Sequence, residues 1–289
     1  MSQRAQIEHS LITTYRSRFW SPFIRAIKEY ELILPGDRIA VMLSGGKDSF
    51  LLAKLFEELH RHGKKNFGLV LIGMDPGYAE ENRKKVEELQ ALLEHPLHLY
   101  ERDVFSASKK MNEKNPCYLC ARMRRGVLYD LAKKHDCNKI ALGHHFDDVI
   151  ETALMNVLVG GMTMAMMPKL HSTSHPEMEL IRPLYYVRER DILLWQEAME
   201  LEFLDCACEV AARELPSTRR EIKELIPMLK ERFTHVEDAI FHSTKNVHTG
   251  AILGTVVKGK KHSFLETYSL QQTIDKKSGE EESQEKPLP

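Results

Sequence analysis

Short apolar runs alternate with longer amphipathic segments through the first half of the chain. The runs are rich in β-branched residues and end at glycine or polar residues, which is typical of strands buried on both faces of a parallel sheet. They cover 38–43, 68–74, 97–100 and 139–142. Apolar residues recur at helical spacing between them, over 49–62, 80–94, 118–135 and 147–159. Strands that alternate with such helices form right-handed βαβ units, so the pattern predicts an α/β fold with a doubly wound parallel sheet.

The two ends of the chain have other patterns. Helical spacing of apolar residues over 7–24 predicts one or two amphipathic helices before the first strand. The charged segment 275–289 has almost no large apolar side chain, so we expect a disordered tail. Less regular spacing in the second half predicts a strand over 179–184, helices over 191–199 and 217–233, and no definite element over 247–269.

The composition is that of an ordinary globular protein. Apolar residues make up 43% and charged residues 29% of the 289 positions, which excludes an intrinsically disordered or collagen-like chain. No apolar run reaches the roughly 18 residues that span a bilayer, which excludes an integral membrane protein. Residues 1–8 lack the apolar core of a signal peptide, so we expect a cytoplasmic protein.

Charge gives no general indication of nucleic-acid binding. The 41 basic and 42 acidic residues leave a net charge of −1, so any binding of RNA must rest on local groups of basic residues. A single group of this kind is usually a solvated surface, but several together can form a track for phosphates. Three groups stand out: Arg122, Arg124, Arg125, Lys133 and Lys134; Arg213, Arg219, Arg220 and Lys223; and Lys258, Lys260 and Lys261.

The segment Ser44-Gly45-Gly46-Lys47-Asp48-Ser49 lies between the first predicted strand and its helix. The glycines allow a tight turn, and free N–H groups at a helix start bind phosphate oxygens. Lys47 adds a positive charge, and Asp48 suits a cation that bridges phosphates. A plain serine-capped turn would need neither Lys47 nor Asp48. The G-x-x-x-x-G-K-[ST] loop is excluded, because it would require glycine at Val41 and Ser or Thr at Asp48.

A second polar segment, Gly143-His144-His145-Phe146-Asp147-Asp148, follows the 139–142 strand. Carboxylates in the first turn of a helix favour its dipole, which explains Asp147 and Asp148 as an ordinary helix start. That explanation does not account for two adjacent histidines. Because the carboxyl ends of parallel strands meet at one edge of a sheet, we expect Gly143 and Asp148 to form a second wall of the same nucleotide site.

The cysteines indicate metal or redox chemistry. An odd number, five, in a protein expected in the cytoplasm argues against a disulfide framework. Cys117 and Cys120 open a predicted helix one turn apart, and Cys206 and Cys208 offer further ligands. We expect Cys137, which stands alone, to be a packed thiol.

Three functions for these cysteines remain open. Three of them can hold a [4Fe–4S] cluster with one iron open to a substrate atom. Four can form a closed tetrahedral zinc site. A metal-free pair can form a persulfide on one cysteine and resolve it with the other. Unrelated buried cysteines are the structural alternative.

The loop Ser44–Ser49 resembles the PP-loop of the ATP-pyrophosphatase superfamily, whose members split ATP between the α and β phosphates and adenylate a substrate. The whole order of motifs resembles the tRNA 2-thiocytidine biosynthesis proteins over most of residues 37–220. The motifs are SGGKDS, PCYLC at 116–120, GHHFDD with Glu151 and Thr152, MMPKL at 166–170, IRPL at 181–184 and a late cysteine.

This resemblance implies a PP-loop, HUP-like nucleotide-binding domain and an ATP-dependent tRNA thiolase. In that family the 2-oxo group of cytidine 32 is replaced by sulfur, with ATP, Mg²⁺ and a three-cysteine [4Fe–4S] cluster. The implied partners are tRNA, a sulfur donor such as a cysteine desulfurase, and a second copy in a homodimer. The implied organisation is an N-terminal helical segment 1–34, a catalytic domain 35–215, a C-terminal extension 216–274 and the tail 275–289.

The resemblance also implies the site residues. Those that bind ATP would be Leu43, Ser44, Gly45, Gly46, Lys47, Asp48, Ser49, Met74, Asp75, Arg124, Gly143 and Asp148. Those with catalytic roles would be Lys47, Asp48, Cys117, Cys120 and Cys208.

The late cysteine departs from the family pattern. The family has C-x-x-C after Glu-Phe, whereas this chain has C-x-C after Glu202-Phe203. An alignment without gaps selects Cys208 as the third ligand, and a shift of two residues selects Cys206. The spare cysteine keeps zinc as the alternative metal.

Other functions fit the same motifs. A PP-loop ligase or amidotransferase would adenylate a different substrate and would need no cluster. A scaffold with a metal site could bind nucleotide without catalysis. A thiolase for another tRNA base, such as a uridine, would need the same residues.

Overall fold

The computed structural model describes residues 1–63, 66–102, 116–204, 218–266 and 268, and for residues 116–122, 124 and 125 only the backbone. The chain divides into two units, Met1–Phe241 and His242–Pro289. No helix in the described ranges is both long and apolar enough to cross a membrane.

A six-stranded sheet forms the centre of the first unit. Its strands are β1 Arg38–Leu43, β2 Gly68–Asp75, β3 Leu97–Glu101, β4 Lys139–Ala141, β5 Lys169–His171 and β6 Glu179–Ile181. Their spatial order is β3-β2-β1-β4-β6-β5, and every neighbouring pair is parallel except β5 with β6. This confirms the predicted α/β fold with a doubly wound sheet, here with one antiparallel edge strand.

Helices connect and cover these strands. They are α1 Gln3–Ile12, α2 Ser21–Glu29, α3 Lys47–His62, α4 Glu80–Ala91, α5 Pro116–Lys134, α6 Phe146–Leu158, α7 Glu189–Ala198, α8 Thr218–Arg232 and α9 Val236–Ser243. A π-helical turn, Arg16–Trp20, joins α1 to α2. Each agrees with a segment of helical spacing to within a few residues, apart from α9, which the pattern did not predict.

The two faces of β1 belong to different cores. Ile39, Val41 and Leu43 lie in the larger cluster with the apolar side of α3, whereas Ala40 and Met42 lie in a smaller cluster with α5. This alternation follows from the two-residue period of a strand. Because both sets are buried, β1 is apolar on both faces, as its sequence predicts.

The N-terminal helices pack on the larger cluster. The ring of Phe19 meets Trp195 of α7 edge-on at 5.8 Å between centroids, and Trp195 donates to the Ser10 hydroxyl at 3.0 Å. A fully buried lysine also connects α1 to α3. The ammonium of Lys54 in α3 lies 2.8 Å from Glu8 of α1 and 2.6 Å from Glu57 of its own helix. The N-terminal segment is therefore part of the core of this unit.

The second unit contains a small hairpin in the segment that the pattern left unassigned. A short 3₁₀ turn, Thr249–Ala251, precedes the antiparallel strands β7 Gly254–Val257 and β8 Lys260–Ser263. All eight strand residues are exposed, so the segment lacks the alternation of buried and exposed positions by which strands are recognised.

Candidate functional site

The polar segments identified in the sequence meet at the carboxyl ends of β1 and β4. These two strands are neighbours, and the chain leaves β1 toward β2 on its other side, which makes this a switch point of the sheet. Ligands in doubly wound folds bind at such points. Residues 44–46 connect β1 to α3, and residues 142–145 connect β4 to α6.

The loop after β1 is held by its own serines and glycines. Gly45 has φ +82°, a conformation that side chains other than glycine rarely adopt. The Ser49 hydroxyl accepts a hydrogen bond from the Ser44 amide at 3.1 Å and donates to the Gly46 carbonyl at 2.9 Å. Helix α3 begins at Lys47, so its free N–H groups are directed at the space above the loop.

The start of α6 lies against the start of α3. A Cβ atom on Gly143 would be 3.1 Å from the Asp48 carbonyl carbon and from the Ser49 nitrogen, so a larger residue would push the two helix starts apart by a few tenths of an ångström. His145 caps α6, and its amide donates to the Asp148 carboxylate at 3.0 Å. The glycine of the second motif thus brings the two walls together.

A cavity of about 290 Å³ lies between these walls. Its volume is at the lower end of small-molecule sites. The polar residues that line it are Ser44, Asp48, Ser49, His144, Asp148 and Arg219. The apolar residues that line it are Met42, Leu43, Met74, Leu128 and Leu142. A lining of both characters suits a nucleotide, which has charged phosphates and an apolar base.

Ion pairs arrange the charges around the cavity. The Lys47 ammonium lies 3.4 Å from Asp48 and 3.1 Å from Glu189, and Glu189 also binds Lys223 at 2.7 Å. Because of these carboxylates, the pKa of Lys47 is raised although burial, the largest influence, lowers it.

Arg219 at the start of α8 makes a similar pair of contacts. Its guanidinium lies 3.1 Å from Asp148 and 3.0 Å from Glu151. Among the described side chains around the loop, the carboxylates outnumber the cations. The carboxylates are Asp48, Asp147, Asp148, Glu151 and Glu189, and the cations are Lys47, Arg219 and Lys223.

The buried polar groups have altered acidities. Burial is the largest influence on Asp48 and raises its pKa, although His145 and Lys47 act to lower it. Burial lowers the pKa of His144 to about 4, so this imidazole is neutral at physiological pH. Oδ1 of Asp48 and Nδ1 of His144 are buried and have no hydrogen-bond partner in the part of the chain that the structure describes.

An unpartnered buried carboxylate oxygen is costly, and a bound cation would satisfy it. Carboxylate oxygen is the ligand that Mg²⁺ prefers, and Asp48 and Asp148 both line the cavity. The donor set present therefore fits a magnesium ion. Among the side chains that are described, no group of three or more His, Cys, Asp or Glu residues is arranged as a metal site.

The structure brings most of the expected nucleotide residues together. Those that line the cavity are Leu43, Ser44, Asp48, Ser49, Met74, Gly143 and Asp148, and Gly45, Gly46 and Lys47 form the adjoining loop. Asp75 holds the turn after β2, because its carboxylate accepts from the amides of Gly77 and Tyr78 and pairs with Arg83 at 2.8 Å. The side chain of Arg124 lies outside the described residues.

The cysteines of interest are described only in part. Cys117 and Cys120 lie in the first turn of α5, where only the backbone is described, and Cys206 and Cys208 lie outside the described residues. Cys137 is buried, and burial raises the pKa of its thiol to about 11. The prediction of a packed Cys137 is confirmed.

The sequence motifs do not include the carboxylates and cations that face the loop from later helices. Glu189 reaches Lys47 across 142 residues, and no local motif marks it. Arg219 and Lys223 were grouped with surface cations, although both are paired with carboxylates of the site. Their spacing of four residues on one helix was the only available sign that they act together.

The chain that leads to the late cysteines is attached to the loop itself. The Leu204 amide donates to the Gly45 carbonyl at 3.0 Å, and Leu204 is buried. Tyr78 also reaches the loop, because its hydroxyl donates to the Ser44 carbonyl at 3.1 Å. Segments from β2 and from beyond α7 therefore converge on residues 44 and 45.

The sequence is similar to those of known proteins. Residues 20–213 match the profile of the PP-loop domain family. The chain is 36% identical over 258 residues to the tRNA-cytidine(32) 2-sulfurtransferase of Geotalea uraniireducens, which is 88% of this chain and 99% of that protein. It is 34% identical over 278 residues to the tRNA-cytidine(32) 2-sulfurtransferase of Hahella chejuensis, which is 94% of this chain and 93% of that protein.

A solved structure has a similar fold. The U34-tRNA thiolase NcsA from Methanococcus maripaludis, solved with its [4Fe-4S] cluster, superposes with a TM-score of 0.61 at 21% identity. The match covers 78% of this chain and 76% of that one. It supports the fold assigned from the sheet order.

Proposed function

The chain belongs to the PP-loop family of tRNA-cytidine(32) 2-sulfurtransferases, and on that premise we propose that it replaces the 2-oxo group of cytidine 32 in tRNA by sulfur, using ATP. The observation that supports this most directly is the cavity between residues 44–49 and 143–148, which combines phosphate-binding N–H groups with apolar lining residues for adenine. The substrate in this proposal is tRNA, and we expect the reaction to take place in the cytoplasm.

The first half of the reaction is activation of the ring carbonyl. Its oxygen is a poor leaving group, and adenylation converts that oxygen into part of AMP. Lys47 and the N–H groups at the start of α3 would stabilise negative charge on the phosphates. Arg219 lines the same cavity and would exchange its carboxylate partners for phosphate oxygens.

A magnesium ion would be held by Asp48 and Asp148. With more carboxylates than cations among the described side chains of the site, a nucleotide carrying several negative charges would enter more favourably together with a divalent cation. When bound, Mg²⁺ would clamp the phosphates and withdraw charge from them. His145 lies between the two carboxylates, 3.9 Å from Asp48 and 3.6 Å from Asp148, and would fix their orientation.

The cysteines would supply the sulfur chemistry. We propose Cys117, Cys120 and Cys208 as ligands of a [4Fe–4S] cluster, with Cys206 as the alternative third ligand and zinc as the alternative metal. These three thiolates would hold the cluster without a fourth protein ligand, and the bound cluster would supply sulfur for the activated carbon. Support comes from α5, which begins with Cys117 and Cys120 and later places Leu128 in the cavity wall.

The third ligand is supported by chain length. Leu204 is bonded to Gly45 of the loop, and Cys206 and Cys208 follow two and four residues later. Four residues extend at most about 14 Å. Either cysteine is therefore within reach of the edge of the sheet at which the nucleotide cavity opens. Arg124, four residues after Cys120, would face the nucleotide from α5.

We propose further that the domain of residues 35–215 contains the catalytic machinery and works with a sulfur donor such as a cysteine desulfurase. A homodimer is the expected assembly. The extension 216–274 takes part in the site in this proposal, since α8 contributes Arg219 and Lys223.

The test is mass spectrometry of nucleosides from tRNA of a strain that lacks the gene. We expect 2-thiocytidine to disappear and to return with the wild-type gene but not with Lys47→Ala. Lys84→Ala is the matched control, because Lys84 is exposed on α4 and forms no ion pair with another described residue. Unchanged 2-thiocytidine, in a strain without a second such enzyme, would refute the proposal. Loss of a thiolated uridine instead would show that the substrate base is a uridine.

The metal is tested separately by iron analysis after anaerobic purification. Cys117→Ser, Cys120→Ser and Cys208→Ser should each lose the iron and the broad visible absorbance of a cluster, whereas Cys206→Ser should keep both. The reverse result for Cys206 and Cys208 would exchange their roles. Stoichiometric zinc in place of iron in the wild type would establish the alternative metal.

A further inference from the structure

Five exposed cations lie on the N-terminal helical segment and on α7, the helix that contributes Glu189 to the site. We define the cation row as Arg16 and Arg18 of the π-helical turn, Arg25 and Lys28 of α2, and Arg190 of α7. All five are exposed. None belongs to the three basic groups that stand out in the sequence, because they come from two regions far apart in the chain.

Two contacts join these regions into one surface. The Arg18 guanidinium lies 3.5 Å from Asp191, and the Arg25 guanidinium lies 4.1 Å above the ring of Tyr186. Segment 186–191 is thus flanked by Arg18 and Arg25, and Arg190 lies within it. Arg18, Arg25 and Arg190 are therefore neighbours on one surface, and Arg16 and Lys28 belong to the same π-helical turn and the same helix as Arg18 and Arg25.

The same segment connects the cation row to the catalytic residues. Glu189 directs its carboxylate to Lys47 of the PP-loop at 3.1 Å, while the next residue, Arg190, is exposed. One turn of α7 therefore has one side chain in the site and another on the surface. Arg190 is therefore one residue away from a side chain that contacts the PP-loop.

Three charges of the row are available for a ligand. Within the described residues, Arg16, Lys28 and Arg190 form no ion pair, whereas Arg18 pairs with Asp191 and Arg25 with Glu29. The Arg25 guanidinium also lies over the ring of Tyr186, so it is held by two contacts. The three unpaired cations are therefore the ones that can bind phosphate.

We propose that the cation row is the surface on which the phosphate backbone of the tRNA lies while its base occupies the catalytic cavity. This inference rests on the proposed function, which makes tRNA the substrate. Cations on the π-helical turn, α2 and α7 can bind successive phosphates of an RNA strand. Contacts of this kind position the RNA without reading its sequence. The row would therefore hold the anticodon arm in register with the PP-loop.

The test compares two double variants with the same change in net charge. Arg16→Glu/Arg190→Glu reverses two unpaired cations of the row. The control, Lys84→Glu/Arg232→Glu, reverses two exposed cations on α4 and at the end of α8 that form no ion pair among the described residues. Binding of full-length tRNA is measured against KCl concentration, and binding of a fluorescent ATP analogue is measured without tRNA.

We expect the row variant to bind tRNA about tenfold more weakly or worse at moderate salt, with the slope of log K against log salt reduced by about 2. Its affinity for the ATP analogue should equal that of the wild type, and the control should match the wild type in both measurements. Equal weakening in both variants would show that total charge matters and not location, which overturns the proposal.

Two other outcomes are distinguishable. If tRNA affinity is unchanged but sulfur transfer from a protein donor falls, the row binds an acidic protein, and the proposal is wrong. If the wild type itself fails to bind tRNA, the proposed function is wrong, and the proposed role of the surface is wrong with it. Retained ATP binding in the row variant shows that its fold and nucleotide site are intact.

Discussion

Leu204 is bonded to the PP-loop through the backbone, since its amide donates to the Gly45 carbonyl at 3.0 Å. Its side chain also fills the space beside that glycine, where a Cβ atom on residue 45 would be 2.5 Å from Leu204 Cδ1. The conformation of the loop and the start of the late-cysteine segment are therefore linked at a single contact.

This contact predicts the effect of Gly45→Ala. The variant must adopt φ +82° with a side chain and must also displace Leu204, so we expect ATP affinity to fall at least about tenfold and stability to fall by more than about 1 kcal/mol. Gly36→Ala is the matched control. Gly36 has φ +88° but no atom near its Cβ position, so this variant should lose stability and keep the ATP affinity of the wild type. Equal ATP affinities in the two variants would contradict the role of the contact.

Arg219 provides a second prediction. If it exchanges Asp148 and Glu151 for phosphate oxygens, Arg219→Gln should weaken binding of MgATP by about tenfold, the scale of one charged hydrogen bond. Arg219→Lys keeps the charge but loses the planar fork of N–H donors, so its affinity for MgATP should lie between those of the wild type and Arg219→Gln. Arg232→Gln at the other end of α8 should leave ATP affinity unchanged. Calorimetric titration measures all three, and wild-type affinity in Arg219→Gln would exclude phosphate contact.

The buried ammonium of Lys54 should matter for stability and not for chemistry. Lys54→Met leaves Glu57, which is fully buried, without its closest cation, and the loss should be about 3–5 kcal/mol. Arg4→Ala removes an ion pair with Glu8 that is more exposed and should cost less than about 1 kcal/mol. Urea denaturation of both variants compares them directly. A small loss in Lys54→Met would mean that Glu57 becomes protonated or hydrated.

The same cluster makes stability depend on acidity. Burial raises the pKa of Glu8, but hydrogen bonds from Lys54 and Arg4 outweigh it and lower the pKa from 4.5 to about 2. The folded state thus prefers the ionised form, so the stabilisation is complete above pH 4.5 and is lost as the pH falls from 4.5 toward 2. In Glu8→Gln, the free energy of unfolding should depend less on pH over this range than in the wild type. A parallel acid profile for the wild type and Glu8→Gln would refute the assignment.

Cys137 should be inert in the folded protein. With a pKa of about 11 and a buried sulfur, its thiolate fraction at pH 8 is about one in a thousand. Iodoacetamide at pH 8 should modify it only after denaturation, as peptide mass spectrometry can show. Cys137→Ala should keep the iron content and thiolation activity of the wild type. Loss of iron in that variant would identify Cys137 as a ligand.

Much of this protein could be predicted from local patterns. Apolar runs and helical spacing predicted five of the six strands of the sheet and nearly all the helices, because period 2 and period 3.6 are properties of neighbouring residues. The edge strand β5 was not predicted. The loop before α3 was recognisable because a tight turn requires glycine and phosphate binding requires free amides and a cation. Helix α3 begins two residues earlier than its apolar spacing indicates, since Gly46 serves as its N-cap. The hairpin of β7 and β8 escaped prediction because none of its strand residues is buried.

The sequence by itself determined the order of strands and helices and the two polar loops at strand ends, since both follow from interactions within a few residues. Only the tertiary structure decided what faces those loops. Glu189 meets Lys47 and Arg219 meets Asp148 because α7 and α8 pack beside the carboxyl end of the sheet, at separations of 142 and 71 residues. It likewise decided that Asp75 serves the turn after β2, because Gly77, Tyr78 and Arg83 fold back onto its carboxylate. Contacts between distant segments depend on the packing of whole elements, which no local periodicity specifies.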